Sequence, residues 1–164
     1  MEPFGPDELE PVLHKMKKHK AGGPDDNLAE FYKYLNPDIK ACVGELINYW
    51  RCTEKVCPDI TKARVAHIYK KGSSALFTNY RPISLLNILY KLYTKLIQQR
   101  LAKALDPYLH VTQFGFHAQR GTQHAIHIIR RLLEAGESST SKLVLLLLEW
   151  EQAFDKITHD CFPL

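Results

Sequence analysis

The sequence lacks any apolar run long enough to cross a membrane. Its longest aliphatic run, Leu143–Leu148, has six residues, whereas a transmembrane helix needs about 20. It also lacks the pattern of a signal peptide. We therefore expect an intracellular protein, nuclear or cytoplasmic, without a membrane partner.

Cysteine is scarce, with 4 residues in 164, and none of them forms a Cys-X-X-Cys pair or has a histidine at zinc-finger spacing. This argues against a disulfide framework and against a structural zinc site, and predicts reduced thiols. His124 and His127 are three residues apart, but no cysteine or acid at ligand spacing supports them. We expect no metal role for that pair.

The composition is that of one globular domain, 45% hydrophobic and 24% charged, which excludes a disordered chain. We find no internal repeat, low-complexity tract or evident linker. The net charge of +4 is compatible with nucleic-acid binding without being specific to it.

Apolar periodicity and breaking residues predict a mainly helical chain with a few strands. The predicted helices are 7–20, 28–35, one from Asp38, one from Ser84 or Asn87 to Leu105, and 122–135. The predicted extended segments are 62–69, 79–84 and the buried strand 143–148.

Basic residues cluster at turns. Lys70, Lys71 and Arg81 bracket one turn and Arg120 lies in another, where Arg and Lys suit phosphate contacts. A solvated surface turn is the alternative. The basic run 14–20 is typical of the polar face and last turn of a helix, an interpretation that we favour over a localisation signal.

The apolar run that ends at Glu149 allows two interpretations. A strand covered on both faces loses alternation, and an acid at its tip is where metal-dependent polymerases place a ligand. Alternatively, Glu149 simply ends a core strand at the solvent.

Several blocks resemble the non-LTR (LINE-type) retrotransposon reverse transcriptases. Residues 79–86 read NYRPISLL like the family's block, and residues 113–122 match its QxGFxxxRxT pattern. Residues 20–25 and 70–72 are similar to its KSPGPDG and PKKG turns, and residues 153–159 match AFDxxxH. The blocks follow the family's order over residues 17–160, so chance does not account for them.

The resemblance implies an RNA-directed DNA polymerase with a right-hand fold of fingers, palm and thumb. The expected fold class is α+β, mainly helical and incomplete, within a single partial domain of residues 1–164. Residues 7–141 would be fingers-like, and residues 142–164 would start the palm. The implied partner is RNA or an RNA/DNA hybrid, and the family's cofactor is Mg²⁺. The implied nucleotide- and nucleic-acid-binding residues are Lys70, Arg81, Gln113, Gly115, Phe116 and Arg120.

Two departures from the family bear on activity. Glu149 stands where the family has its first catalytic aspartate, and the extra methylene moves the carboxylate by roughly 1 Å, enough to cost about 10²-fold in rate. The family's later Asp-Asp segment is not among these 164 residues. We expect Glu149 to be a degenerate catalytic and metal position, and the chain by itself to bind no Mg²⁺ and to lack polymerase activity.

Two alternative functions remain open. One is a non-catalytic RNA-binding module that uses the basic turns. The other is a small helical interaction protein that associates with itself or with other proteins through the exposed edge of the apolar strand.

Overall fold

The structure is a computed structural model that describes residues 2–117, 119–139 and 142–150. The chain divides into two compact units, residues 1–108 and 109–164. Each unit is described by itself. The predicted division into fingers-like and palm residues remains a prediction.

Helices dominate the described part of the first unit. They are α1 (Pro6–Lys15), α2 (Ala29–Lys33), α3 (Pro37–Thr53), α4 (Pro58–Thr61) and α5 (Ile88–Leu105). Short 3₁₀ turns cover Phe77–Asn79 and Asp106–Tyr108. The predicted helices are confirmed, but the first ends at Lys15 and not at residue 20. Between Met16 and Leu28 the chain offers no large apolar side chain to bury, and helices of this length depend on such burial.

Proline begins three of these helices, where its missing N–H is not needed. Gly5 occupies the capping position of α1, and its amide donates to Glu8 Oε2 at 3.3 Å. At the start of α3 the cap is a side chain, because Asn36 Oδ1 accepts from the Ile39 amide at 2.8 Å.

The core of the first unit lies between α1, α3 and α5, with α2 against it. The predicted apolar stripe of α5 is confirmed, since Leu92 and Leu96 are fully buried. Trp50 of α3 meets Tyr93 of α5 edge-on, with ring centroids 5.7 Å apart. The buried apolar residues are Phe4, Leu9, Val12, Leu13, Ala29, Tyr32, Ile47, Trp50, Ile88, Leu92 and Leu96.

An arginine of α5 fastens the N-terminal segment and α1 to the core. Arg100 donates from Nε and Nη2 to the two carboxylate oxygens of Glu8, at 2.8 and 2.6 Å, and its guanidinium lies 4.1 Å from the centre of the Phe4 ring. The Arg100 hydrogen bonds hold the pKa of the Glu8 carboxyl below its ordinary value. A bidentate ion pair therefore joins elements that are 92 residues apart in sequence.

The two predicted extended segments of this unit form one antiparallel hairpin, β1 (Ala63–Tyr69) paired with β2 (Tyr80–Leu86). The register places Ala63 opposite Leu86 and Tyr69 opposite Tyr80. Most of its residues are exposed on both faces. With these helices and this two-stranded sheet, the chain is α+β and mainly helical, as predicted.

In the second unit one helix is described, α6 (Thr122–Ser138). It starts at the predicted residue, with Gly121 as the cap, and ends three residues beyond the predicted 135. The described residues leave much of its apolar face uncovered. Ile128, Leu132 and Leu133 are exposed, because amphipathic spacing produces a face without supplying the surface that covers it.

The predicted buried strand at residues 143–148 is also wrong. Residues 142–150 contain no helix or strand, and all nine are exposed. A strand needs a partner for its backbone groups, and none of the described residues pairs with this segment. Within the described residues, we find no helix that combines the length and apolarity needed to span a bilayer.

Candidate nucleic-acid interface

Two of the predicted binding residues share one face of the hairpin. Arg81 pairs with Ile68 across the ladder. The Lys70 amide donates to the Asn79 carbonyl at 2.8 Å, so the pairing continues one step past β1. Because side chains alternate along a strand, Lys70 and Arg81 are diagonal neighbours on the same face, with Cα atoms roughly 7–8 Å apart.

The turn that presents these cations is held by its own hydrogen bonds. Asn79 Nδ2 donates to the Ser73 carbonyl at 2.8 Å, and the Tyr80 hydroxyl donates to the Ser74 carbonyl at 3.0 Å. Gly72 has a φ of +96°, a conformation that glycine adopts without the steric cost of a side chain. The turn is thus a fixed platform and not an unstructured connection.

The opposite hairpin face is aromatic. Tyr69 and Tyr80 stand opposite each other with ring centroids 5.6 Å apart, and Phe77 lies 5.5 Å from the ring of His67. Phe77 is largely exposed. The hairpin therefore carries cations on one face and rings on the other, the two groups that bind phosphates and stack on bases.

The charges of the hairpin are balanced at one end only. Arg64, near the start of β1, forms an ion pair with Asp26 at 2.9 Å; this contact lowers the pKa of Asp26 and raises that of Arg64. Lys70, Lys71 and Arg81 are exposed. Their side chains form no hydrogen bond or ion pair with any other residue that the structure describes. The described residues do not compensate the positive charge at the turn end of the hairpin, and an anionic ligand would compensate it.

A buried asparagine joins the base of the hairpin to the first glycine-rich turn. Asn87 follows β2 and is 4% exposed. Its Oδ1 accepts from the Asp25 amide at 3.3 Å, and its Nδ2 donates to the carbonyls of Asp59 and Ile60 at 3.4 and 3.2 Å. A Cβ on Gly23 would lie 2.3 Å from Asn87 Oδ1.

The sequence predicted Asn87 only as a helix cap and missed its role as a connector. The available signal was a small polar residue between the apolar residues Leu86 and Ile88. Such a residue, when buried, must find hydrogen-bond partners. The partners themselves, about 30 and 60 positions earlier in the chain, leave no local pattern.

The predicted residues of the second unit lie in the loop before α6. Arg120 Nη1 donates to the carbonyls of Val111 at 3.0 Å and Gln113 at 3.2 Å, so it holds the loop closed. Gln113 Nε2 donates to the Gly115 carbonyl at 3.3 Å. Phe116, with a φ of +57°, is fully exposed. These contacts give Arg120 a structural role, and the nucleic-acid role of the group remains a prediction.

Glu149 is exposed within the irregular segment 142–150, whereas Asp155 and the rest of the AFDxxxH block lie outside the described residues. Among residues 2–117, 119–139 and 142–150, no three His, Cys, Asp or Glu side chains are grouped so as to hold a metal ion. The described residues by themselves do not fit a two-metal centre.

Comparison with known proteins decides the family. Residues 68–161, more than half of the chain, match the family described as "Reverse transcriptase (RNA-dependent DNA polymerase)". The chain belongs to the reverse transcriptase family. The hairpin turn, the 113–122 loop and Glu149 all lie within the matched residues.

Two curated relatives place this reverse transcriptase chain among mobile elements. It is 30% identical over 161 residues to the "Transposon TX1 uncharacterized 149 kDa protein" of Xenopus laevis, a match that covers 96% of this chain and 12% of the relative. It is 36% identical over 101 residues to the "RNA-directed DNA polymerase from mobile element jockey" of Drosophila melanogaster, covering 59% of this chain and 11% of the relative. The resemblance to non-LTR retrotransposon reverse transcriptases is confirmed, for a chain that spans about an eighth of these relatives' length.

Proposed function

We propose that these residues bind RNA or an RNA/DNA hybrid as part of a retrotransposon reverse transcriptase, with the hairpin turn as a main contact. The observation that carries this proposal is the pair Lys70 and Arg81. Both lie on one face of an ordered hairpin, exposed and without a described acidic partner. Family membership supplies the class of ligand, and the free cations supply the means of binding its phosphates.

In this proposal residues 7–141 correspond to fingers, and the turn at Lys70–Gly72 faces the triphosphate of the incoming nucleotide. Arg81 binds two phosphate oxygens at once, whereas Lys70 contributes a point charge. Gln113, Gly115 and Phe116 lie toward the template, where the exposed Phe116 ring offers a stacking surface for a base.

RNA binding tests the proposal directly. We expect the purified chain to bind a fluorescein-labelled single-stranded RNA in a polarisation titration, with an affinity that falls as salt is added. The variant Lys70→Ala/Arg81→Ala should reduce the slope of log K against log salt by about 1.4, since each lost phosphate contact on a single strand removes about 0.7.

The matched control is Lys55→Ala/Lys103→Ala, which removes the same formal charge from exposed positions outside the hairpin. Both variants should keep the circular dichroism spectrum of the parent chain. Salt-independent binding, no binding, or equal losses in the two variants would refute a phosphate contact at the hairpin turn.

We also propose that the 164 residues alone do not extend a primer. Glu149 holds the first carboxylate position with a side chain that is one methylene too long, and Mg²⁺ demands near-ideal geometry. A primer-extension assay on an RNA template with Mg²⁺ should show no product. Magnesium-dependent extension by the purified chain would overturn this part of the proposal.

Self-association is a second candidate function, favoured by one observation. Residues 143–148 present six aliphatic side chains that are each between 47% and 89% exposed, and contiguous apolar surface of this kind marks interaction sites. Sedimentation velocity should show a mass that rises with protein concentration. A monomer at all concentrations would exclude this candidate.

A further inference from the structure

A cleft of about 640 Å³ opens on the first unit between the end of α1, the chain that follows it, and α5. Five lysines line it, and they come from two segments that are about 70 residues apart in sequence. They are Lys15, Lys17, Lys20, Lys91 and Lys95. From the sequence, the basic run 14–20 is interpreted as a solvated helix end. In the structure, three of its lysines line the same cleft as Lys91 and Lys95 of α5.

The cleft carries uncompensated positive charge. None of the residues that line it is acidic. None of the five ammonium groups forms a hydrogen bond or an ion pair with another residue in the described part of the chain. Two neighbouring lysines differ: Lys18 contacts the Tyr34 hydroxyl, and Lys33 donates to the His14 carbonyl at 3.0 Å. In this part of the first unit, the lysines that line the cleft are unpaired, whereas Lys18 and Lys33 beside it have partners.

The two lysines of α5 are also close to each other. Lys91 and Lys95 are one turn apart on the same side of the helix, and like charges in this arrangement destabilise it. Leu92 and Leu96, on its other side, are fully buried in the core. Helix packing thus holds both lysines toward the cleft at a cost in helix stability, which a bound polyanion would remove.

Ala29, Ile88 and Met16 also line the cleft, and the first two are each 3% exposed. The lysines are therefore the groups that a ligand meets, and a positively charged groove of this kind follows the backbone of a single-stranded nucleic acid. Lysine acts here as a point charge without the paired geometry that arginine imposes, so the cleft is suited to a backbone of any sequence.

We propose that this lysine cleft is a second contact for single-stranded nucleic acid, separate from the hairpin turn. The inference rests on the proposed function, in that it takes RNA as the ligand of the chain. It adds a binding surface on the helices that depends on charge and not on base sequence.

The test is a polarisation titration of the full chain with a labelled single-stranded RNA over a range of salt concentrations. We expect Lys91→Gln/Lys95→Gln to reduce the salt slope by about 1.4, equally for RNAs of different sequence. The control Lys55→Gln/Lys103→Gln removes the same charge outside the cleft and should change the slope less. Lys15→Gln/Lys17→Gln repeats the test from the other wall.

The outcomes separate the two proposals. If the parent chain binds no RNA, the proposed function fails. If it binds, and the cleft variants behave like the control while Lys70→Ala/Arg81→Ala loses affinity, only the cleft is refuted. If polyglutamate binds the parent but not Lys91→Gln/Lys95→Gln, while these substitutions leave RNA affinity and its salt slope unchanged, the cleft is a site for acidic protein segments, and the inference is overturned.

Discussion

Replacing Asn87 by alanine should loosen the base of the hairpin. The side chain is 4% exposed and makes three hydrogen bonds, at 3.2 to 3.4 Å, to the 22–27 turn and to α4. A typical hydrogen bond contributes about 0.5–1.5 kcal/mol to stability, and these three are long. We therefore expect Asn87→Ala to lower the free energy of unfolding by about 2 kcal/mol, or the melting temperature by about 10 °C.

The variant Asn87→Asp tests the two hydrogen bonds that Asn87 Nδ2 donates. It keeps an oxygen for the Asp25 amide, but it loses the N–H groups and places a carboxylate against the carbonyls of Asp59 and Ile60. Since an unpaired buried charge costs more than a missing hydrogen bond, the aspartate variant should be less stable than the alanine variant. Asn87→Ala serves as the uncharged comparison, because it removes the amide without adding charge.

Urea unfolding followed by tryptophan fluorescence is the appropriate assay. Trp50 is buried in the core of the first unit and Trp150 is exposed, so a Trp150→Phe background leaves one reporter of the unit that contains Asn87. A loss below about 0.5 kcal/mol for the alanine variant, a typical surface effect, would refute the connecting role. An aspartate variant as stable as the parent would refute the assigned orientation of the amide.

Two further predictions concern the ion pair and the hairpin turn. Arg100 lowers the pKa of Glu8, so the stabilisation from this pair is complete above the ordinary value and is lost as the pH falls through the lowered pKa. The stability difference between the parent and Glu8→Gln, measured by urea unfolding, should therefore shrink in acid; a constant difference would contradict this. Gly72→Ala should cost about 1–3 kcal/mol and weaken RNA binding in the polarisation assay, because φ is +96° and a Cβ would lie 2.7 Å from Asn79 Nδ2. Its control is Gly44→Ala inside α3, where a Cβ meets only Leu9 at 3.8 Å, and equal losses in the two variants would contradict the turn argument.

Apart from the short α4, the helices of the first unit were predictable because their signals are local. Apolar spacing marked the buried side of α5, and the extended residue before Pro82 together with Asn87 indicated where that helix begins. The two extended segments were predictable as well, the first from its branched and aromatic residues and the second from the residue before Pro82. Their pairing into a hairpin is known only from the structure.

The apolar segments of the second unit show where local signals fail. The α6 face and residues 143–148 both have the composition of buried structure, yet the described residues leave them exposed. A hydrophobic pattern indicates a surface whose burial would lower the free energy of the chain. Whether a partner surface lies against it depends on other parts of the assembled fold.

For the candidate site, too, the sequence predicted one part and the fold decided another. The sequence located the cations at 70, 71, 81 and 120, but it treated them as equivalent. The fold uses Arg120 to close its own loop and Arg64 to bind Asp26, and it leaves Lys70 and Arg81 unpaired. All of these side chains are cations, and the acids and carbonyl groups near each one decide whether it is paired.

The sequence by itself determined the reverse transcriptase family, the mainly helical class and two extended segments of the first unit, because motif order, apolar period and breaking residues act over short stretches. Only the tertiary structure decided that Asn87 closes the turn at Gly23 and that two distant lysine groups line one cleft. Those outcomes depend on contacts between residues about 60 to 70 positions apart. Such contacts form when the packed core brings their elements together, and no local pattern records them.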